Sequence, residues 1–229
     1  MKKDRILITG GAGYLGSVLT EYLLEKNYEV SCLDNFSIGA DSSKSLLHLC
    51  PKPGFNFIFG DVRDKKTLEN IVPKHDMIIP LAAIVGAPQC KLNPVDSILI
   101  NRDAIININD IRSKNQKLIY PTTNSGYGTT SGDIFCTEET PLNPISLYGK
   151  TKSEAEKILL ESNKDVITLR LATVFVVSPR MRTDLLVNNF VLKSFTENYL
   201  VIYEKDFKRN FVHVRDVARC FEHCIKNYD

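Results

Sequence analysis

Thr9-Gly10-Gly11-Ala12-Gly13-Tyr14-Leu15-Gly16 follows the apolar run Arg5–Thr9 and opens a stretch of helical period, Tyr14–Lys26. A short β-rich run, a glycine turn and an amphipathic helix make the first half of a βαβ unit. Gly10, Gly13 and Gly16 stand in the spacing G-x-x-G-x-x-G. Glycines so placed let the backbone pass close to a pyrophosphate, and the helix N-terminus then faces the anion. The next apolar run, Glu29–Leu33, ends at Asp34, eighteen residues after Gly16. A carboxylate there accepts hydrogen bonds from an adenosine ribose and repels a 2′-phosphate, which favours NAD over NADP. The bland alternative is a strand-end turn residue.

Outward from this unit, apolar runs keep alternating with segments of helical period. Strands are predicted at Arg5–Thr9, Glu29–Leu33, Phe55–Phe59, Asp76–Leu81, Lys117–Tyr120 and Val166–Leu171. Helices begin near Leu15, Lys65, Val95 and Tyr148. Right-handed crossovers place helices on both faces, so the expected fold is α/β, a Rossmann-type doubly wound parallel sheet. Asp61-Val62 lies just past the third strand, where it meets an adenine edge or starts a helix. Leu81-Ala82-Ala83 ends the fourth with small side chains that let a cofactor lie across it, though small residues there also simply pack.

After Leu171 the alternation breaks. Ser178-Pro179-Arg180-Met181-Arg182 leads into an amphipathic stretch from Asp184 to Asn198, a strand-like Tyr199–Tyr203, then Asn210–Val214 and a final helix. The expected division is an NAD-binding unit over 1–172 and a small, incomplete C-terminal substrate-binding lobe over 173–229. Its last helix, 215–227, packs back on the first unit.

Apolar and charged fractions of 43% and 24%, over 229 residues, are those of an ordinary globular protein. A formal charge of +2 with dispersed basic residues gives no reason to expect a nucleic-acid or membrane partner. No apolar span reaches eighteen residues, and no signal peptide precedes the first strand. The six cysteines, Cys32, Cys50, Cys90, Cys136, Cys220 and Cys224, lack zinc-like spacing. Reduced thiols, no metal and a cytoplasmic location are expected.

Tyr148-Gly149-Lys150-Thr151-Lys152 places a phenol and an ammonium on one helical face. A free tyrosine, with a pKa of about 10, is phenolate in only about one part in a thousand at neutral pH. Acting as a base, Tyr148 needs positive charge nearby, from Lys152 and from an oxidised nicotinamide. Thr123, in Pro121-Thr122-Thr123-Asn124-Ser125-Gly126-Tyr127-Gly128, can orient a substrate hydroxyl toward the nicotinamide, with Thr122 as competitor. Separately, the pair reads as a surface pair and the hydroxyls as turn residues. All pieces in this chain order point to oxidation of an alcohol.

Those residues, with Asn101 and Arg209-Asn210-Phe211-Val212-His213-Val214, resemble the extended short-chain dehydrogenase/reductase family and its nucleotide-sugar epimerases, dehydratases and dehydrogenases. The resemblance runs from Arg5 to the end. It implies Thr123, Tyr148 and Lys152 as the catalytic set, with Thr123 five residues before Gly128. It implies NAD contacts from Gly10, Gly13, Tyr14, Leu15, Gly16, Asp34, Asn35, Asp61, Val62, Leu81, Ala82, Ala83 and Asn101, besides Tyr148 and Lys152. Asn101 resembles the helix asparagine that braces the active site. Arg209 resembles the arginine that grips the sugar-nucleotide pyrophosphate; Asn124, Ser125, Arg180 and Asn188 complete the expected substrate contacts.

The departures are informative. The family's 4,6-dehydratases carry Asp-Glu directly after the catalytic threonine, where this chain has Asn124-Ser125, so dehydration is disfavoured. Pro80 replaces the usual histidine before Leu-Ala-Ala, and Thr173 the asparagine after the sixth strand. Pro80-Leu81-Ala82-Ala83, Tyr120–Gly128 and Ser178–Arg182 resemble a branch that oxidises C4 of GDP-linked heptoses for bacterial capsule. Family members continue past the last helix with segments that close over the sugar. With the chain stopping at Asp229, an incomplete lid is expected. The implied function is NAD-dependent C4 oxidation of a nucleotide-diphosphate sugar by a homodimer, as epimerase or 4-dehydrogenase. A non-catalytic NAD-binding sensor or scaffold is the alternative.

Overall fold

The computed structural model describes residues 3–39, 41–129, 135–203, 205–206 and 208–228. Six strands, β1 (Arg5–Thr9), β2 (Glu29–Asp34), β3 (Phe55–Phe59), β4 (Met77–Pro80), β5 (Lys117–Thr123) and β6 (Ile167–Leu171), form one sheet. Its order is β3-β2-β1-β4-β5-β6 and every pairing is parallel. The helices are α1 (Tyr14–Glu25), α2 (Asp41–Lys44), α3 (Lys65–Ile71), α4 (Ala87–Leu92), α5 (Pro94–Ile98), α6 (Ala104–Ile111), α7 (Leu147–Leu160), α8 (Leu186–Thr196) and α9 (Val214–Lys226).

Alternation along β1 shows how both faces are covered. Ile6 and Ile8 join Leu19 and Leu23 of α1 and Val217 and Phe221 of α9 in one core. Leu7 turns the other way, among Leu68 of α3, Ile105 and Ile108 of α6, and Ala155 and Leu159 of α7. Strands buried on both faces read as continuous apolar runs, which is why the sequence shows them plainly. The final helix lies on α1, carrying the end of the described chain back to the main sheet.

Three segments differ from expectation. The helix expected to begin near Val95 is α5, a π turn over Leu99–Asp103, and α6. The π turn carries Asn101, fully buried, whose side-chain amide bonds the backbone N and O of Ile84, both at 2.9 Å. Thr173–Phe175 (β7) and Phe211–His213 (β8) form a separate parallel pair beyond β6. The strand expected at Tyr199–Tyr203 is irregular backbone. No described strand pairs with it, and Tyr199, Val201, Ile202 and Tyr203 stay exposed, so its apolar pattern has no face to settle on.

Candidate active site

A cleft of about 870 Å³ crosses the C-terminal ends of the strands, where the order reverses between β1 and β4. Its first wall is the glycine turn. Gly10 has φ +73°, and a Cβ there would lie 2.5 Å from the backbone N of Ala82. A Cβ on Gly16 would lie 2.2 Å from the carbonyl oxygen of Gly10. Neither backbone neighbour can give way, so the turn stays tight against β4. Gly13 caps α1 without any side-chain hydrogen bond, leaving the first-turn amides of Tyr14 and Leu15 for an anion. This cradle fits a dinucleotide diphosphate.

Asp34, at the end of β2, accepts from the backbone amides of Ala12 (3.0 Å) and Phe36 (2.8 Å). Burial raises its pKa, and those amides oppose the rise. The carboxylate therefore both ties the turn and lines the cleft. Asp61 also lines it, but Arg63 and Asn35 hold its carboxylate at 2.6 and 2.8 Å. Arg63 above all keeps Asp61 low, at about 2. The helix-cap role falls to Asp64, which accepts from the Lys66 amide at 3.0 Å, while Asp61 stays on the cleft lining with both its oxygens hydrogen-bonded to neighbours. Val62, Leu81, Ala82 and Ala83 line the floor, whereas Asn101 sits behind it, bracing the Ile84 loop.

The catalytic group stands at the β5 end. Ser146 caps α7 through the Gly149 amide at 3.1 Å, which puts Tyr148 in the first turn of the helix. Thr123 takes the Ser125 amide at 3.1 Å and acts on the Tyr148 phenol, helping to draw its pKa down. Thr122, the competing hydroxyl, has no hydrogen-bond partner among the described residues. Burial pushes the Tyr148 phenol up to about 12, with Cys90 adding to the rise and Arg182 and Thr123 opposing it. Lys152 is not among the groups that bring it down. Its ammonium lies 4.0 Å from the centroid of the Tyr120 ring, and burial pushes the amine down to about 7 against the pull of Glu156. The phenol and amine share a face, as their spacing predicts, but the folded chain alone leaves the phenol protonated.

The far wall comes from the segment after β6. Arg180 reaches across to Ser42 Oγ (3.2 Å) and the Ile38 carbonyl (3.3 Å), tying this wall to the β2–α2 connection. Arg209 lines the cleft beside Asn210, whose side chain accepts from Asn124 at 2.7 Å. Ser125 lines it too. Asn188 is committed elsewhere: buried, it takes the Val176 amide at 2.9 Å and donates to Tyr14 Oη and the Arg182 carbonyl. Tyr14 completes that brace with a hydrogen bond to the Val176 carbonyl. Val176 holds φ +93°, a costly conformation for a β-branched residue, kept by bonds at both its backbone polar groups. Sequence reasoning passed over Glu156 and Cys90; only the i+4 spacing of Glu156 from Lys152 signalled either. Among the described residues, no three His, Cys, Asp or Glu side chains gather as a metal site.

The model of the NAD dependent epimerase/dehydratase family matches residues 6–229. Probable UDP-arabinose 4-epimerase 3 of Arabidopsis thaliana is 34% identical over 192 residues, 77% of this chain and 45% of that protein. The chain spans about half the length of the curated relatives it matches. Among solved structures, UDP-N-acetylglucosamine 4-epimerase of Methanobrevibacter ruminantium M1, in complex with UDP-N-acetylmuramic acid, superposes with TM-score 0.84. It is 25% identical, over 96% of this chain and 72% of that one. UDP-glucuronic acid 4-epimerase of Bacillus cereus, with UDP-glucuronic acid and NAD, gives 0.82 at 26% identity, over 94% and 71%.

Proposed function

This chain belongs to the NAD-dependent epimerase/dehydratase family, and from that premise we propose that it is a 4-epimerase of a UDP-linked sugar. The observation that carries this reading is the meeting of Thr123, Tyr148 and Lys152 on the lining of one cleft with the glycine turn. Gly10, Gly13, Gly16 and the first-turn amides of α1 would hold the NAD diphosphate, Asp34 one ribose and Lys152 the other. Bound NAD supplies the two-electron acceptor at the sugar C4 and, when oxidised, a positive charge beside the phenol.

Tyr148 takes the proton from the C4 hydroxyl, and Thr123 holds that hydroxyl in line. A phenol near 12 is a poor base at pH 7, so the added positive charge is part of the step. In epimerisation the same phenol returns its proton to the same oxygen once the sugar has turned, and no net proton is released. Asn124 and Ser125 beside Thr123 have no carboxyl group to drive loss of water. Arg180 and Arg209, on the wall facing the glycine turn, suit the sugar-nucleotide diphosphate.

Incubation with UDP-, GDP-, CDP- and dTDP-sugars tests the reading, with product NMR and nicotinamide absorbance followed together. A C4 epimer without net NADH is expected. Stoichiometric NADH with a keto sugar would make it a dehydrogenase, and loss of the C6 hydroxyl would make it a dehydratase. Conversion of GDP-heptoses alone would move the substrate to the branch suggested by Ser178–Arg182.

The same family supports a homodimer through the helical stretch α5–α6 and α7, where Val95, Leu99 and Leu160 stand exposed. Light scattering is expected to give twice the chain mass, and a monomer at micromolar concentration would remove that proposal. Free thiols at all six cysteines support a cytoplasmic location.

A further inference from the structure

Beneath the catalytic pair, α7 turns a second charged residue into the sheet. Glu156 follows Lys152 by one helical turn and is 2% exposed, against 4% for Lys152. Its Oε1 accepts from Arg170 Nε at 2.8 Å and from Thr168 Oγ1 at 3.3 Å. Its Oε2 has no hydrogen-bond partner among the described residues, although its surface is enclosed. Arg170 is fixed in turn, donating to Tyr127 Oη (3.1 Å) and the Glu138 carbonyl (3.0 Å). Thr168 and Arg170 pair with Tyr120 and Thr122 across β5–β6, so their side chains share the face that carries the Tyr120 ring under Lys152.

A lysine–glutamate pair four apart is ordinarily a surface pair worth a few tenths of a kcal/mol. Here both members are buried, where an isolated ammonium is too costly to keep; Glu156 stands one turn from Lys152 without closing an ion pair on it, its salt bridge going to Arg170 at 2.8 Å. The groups facing Lys152 are Tyr148 and Glu156 from α7 and Tyr120 from β5; Arg170 of β6 acts on it through Glu156, and Cys90 of α4 faces Tyr148. Glu156 is the one anionic side chain in this set.

We propose that Glu156 is a positioning residue of the active site, the counter-charge that keeps the Lys152 ammonium in place beneath Tyr148, itself aimed by Arg170 and Thr168. The catalytic use of that ammonium rests on the reading above; the burial of the two charges one helical turn apart does not. Burial has already brought Lys152 down to about 7, and Glu156 is what pulls the other way. Loss of the carboxylate would leave Arg170 as an unopposed cation and drive Lys152 neutral under working conditions.

The test is a titration of Lys152 in the full chain, following its ¹³Cε resonance from pH 5 to 10, with the peak identified by its absence in Lys152→Met. Glu156→Gln is expected to lower the midpoint by about one pH unit. Should that variant not fold, Glu156→Asp carries the test: it keeps the charge for Arg170, draws it back from Lys152 by one methylene, and lowers the midpoint by less. A midpoint unchanged or raised in every folded variant overturns the proposal. Because no turnover is needed, a failed epimerase reading leaves this result standing, and a purely structural Glu156 would not move the midpoint.

Discussion

Tyr148→Phe is expected to lower turnover by about 10²–10⁴-fold on whichever nucleotide sugar the wild type converts, with sugar affinity nearly unchanged. The substitution deletes one oxygen and keeps the ring on the wall of the cleft. What disappears is the one group placed to take a proton from a hydroxyl held by Thr123. That factor corresponds to about 3–5 kcal/mol of transition-state stabilisation, the scale of general-base catalysis. The loss should fall on kcat, because the phenol contributes to the reaction step and little to ground-state binding. Steady-state kinetics with equal folded protein decides it, near-identical melting temperatures showing that structure is not the cause. Equal turnover in wild type and variant would remove Tyr148 from the proton-transfer step.

The phenol and its neighbours also mark how far the sequence could be read. Chain order offers Tyr148 and Lys152 with Thr122 or Thr123 as the hydroxyl, because a glycine turn, a hydroxyl loop and an i,i+4 pair are local patterns, and the resemblance chooses Thr123. The electrostatics were not local. Lys152 was expected to lower the phenol, yet its amine lies over Tyr120, thirty-two residues away in sequence, and burial dominates both groups. Asp61, expected at an adenine edge or a helix start, also meets Arg63, two residues on, which bonds both its oxygens. Asn188 was placed on the substrate, whereas packing of α8 on the first turn of α1 commits its amide to Tyr14, Val176 and Arg182.

The sheet was legible for a different reason. Its central strands β1 and β4 are apolar on both faces, so their runs stand out whatever packs against them. The end of the chain offered no such guide. Tyr199–Tyr203 has the composition of a strand, but a strand exists only with a neighbour to bond, and none is described beside it. The π turn at Leu99–Asp103 also escapes periodicity, since one inserted residue leaves the flanking helical patterns intact. Asn101 explains it afterwards: the insertion turns its amide onto the Ile84 backbone.

Lys152→Met is expected to move activity and stability in opposite directions. In the folded chain the amine titrates near 7, against 10.5 for a free lysine, with burial the main cause. Between those values the unfolded chain binds a proton that the folded chain does not. Stability therefore rises with pH across this window. The destabilising contribution is fully present below pH 7 and is gone above about 10.5. A methionine of similar length fills the site without charge, and Glu156 keeps Arg170 as its partner, so no ion is orphaned. At pH 7 the variant should be more stable by about 1–4 kcal/mol, with the gap closing toward pH 10. Tyr148 does not blur this window, since its rise from 10.0 to about 12 costs stability only above pH 10. Turnover should fall steeply over the same range, because the charge beneath the phenol is lost. Denaturant titrations at pH 7 and pH 10 read the stability arm, and a variant less stable than wild type at pH 7 would refute it. A buried amine whose removal stabilises the fold is kept for its chemistry, and that separates a working active site from a scaffold that merely retained its residues.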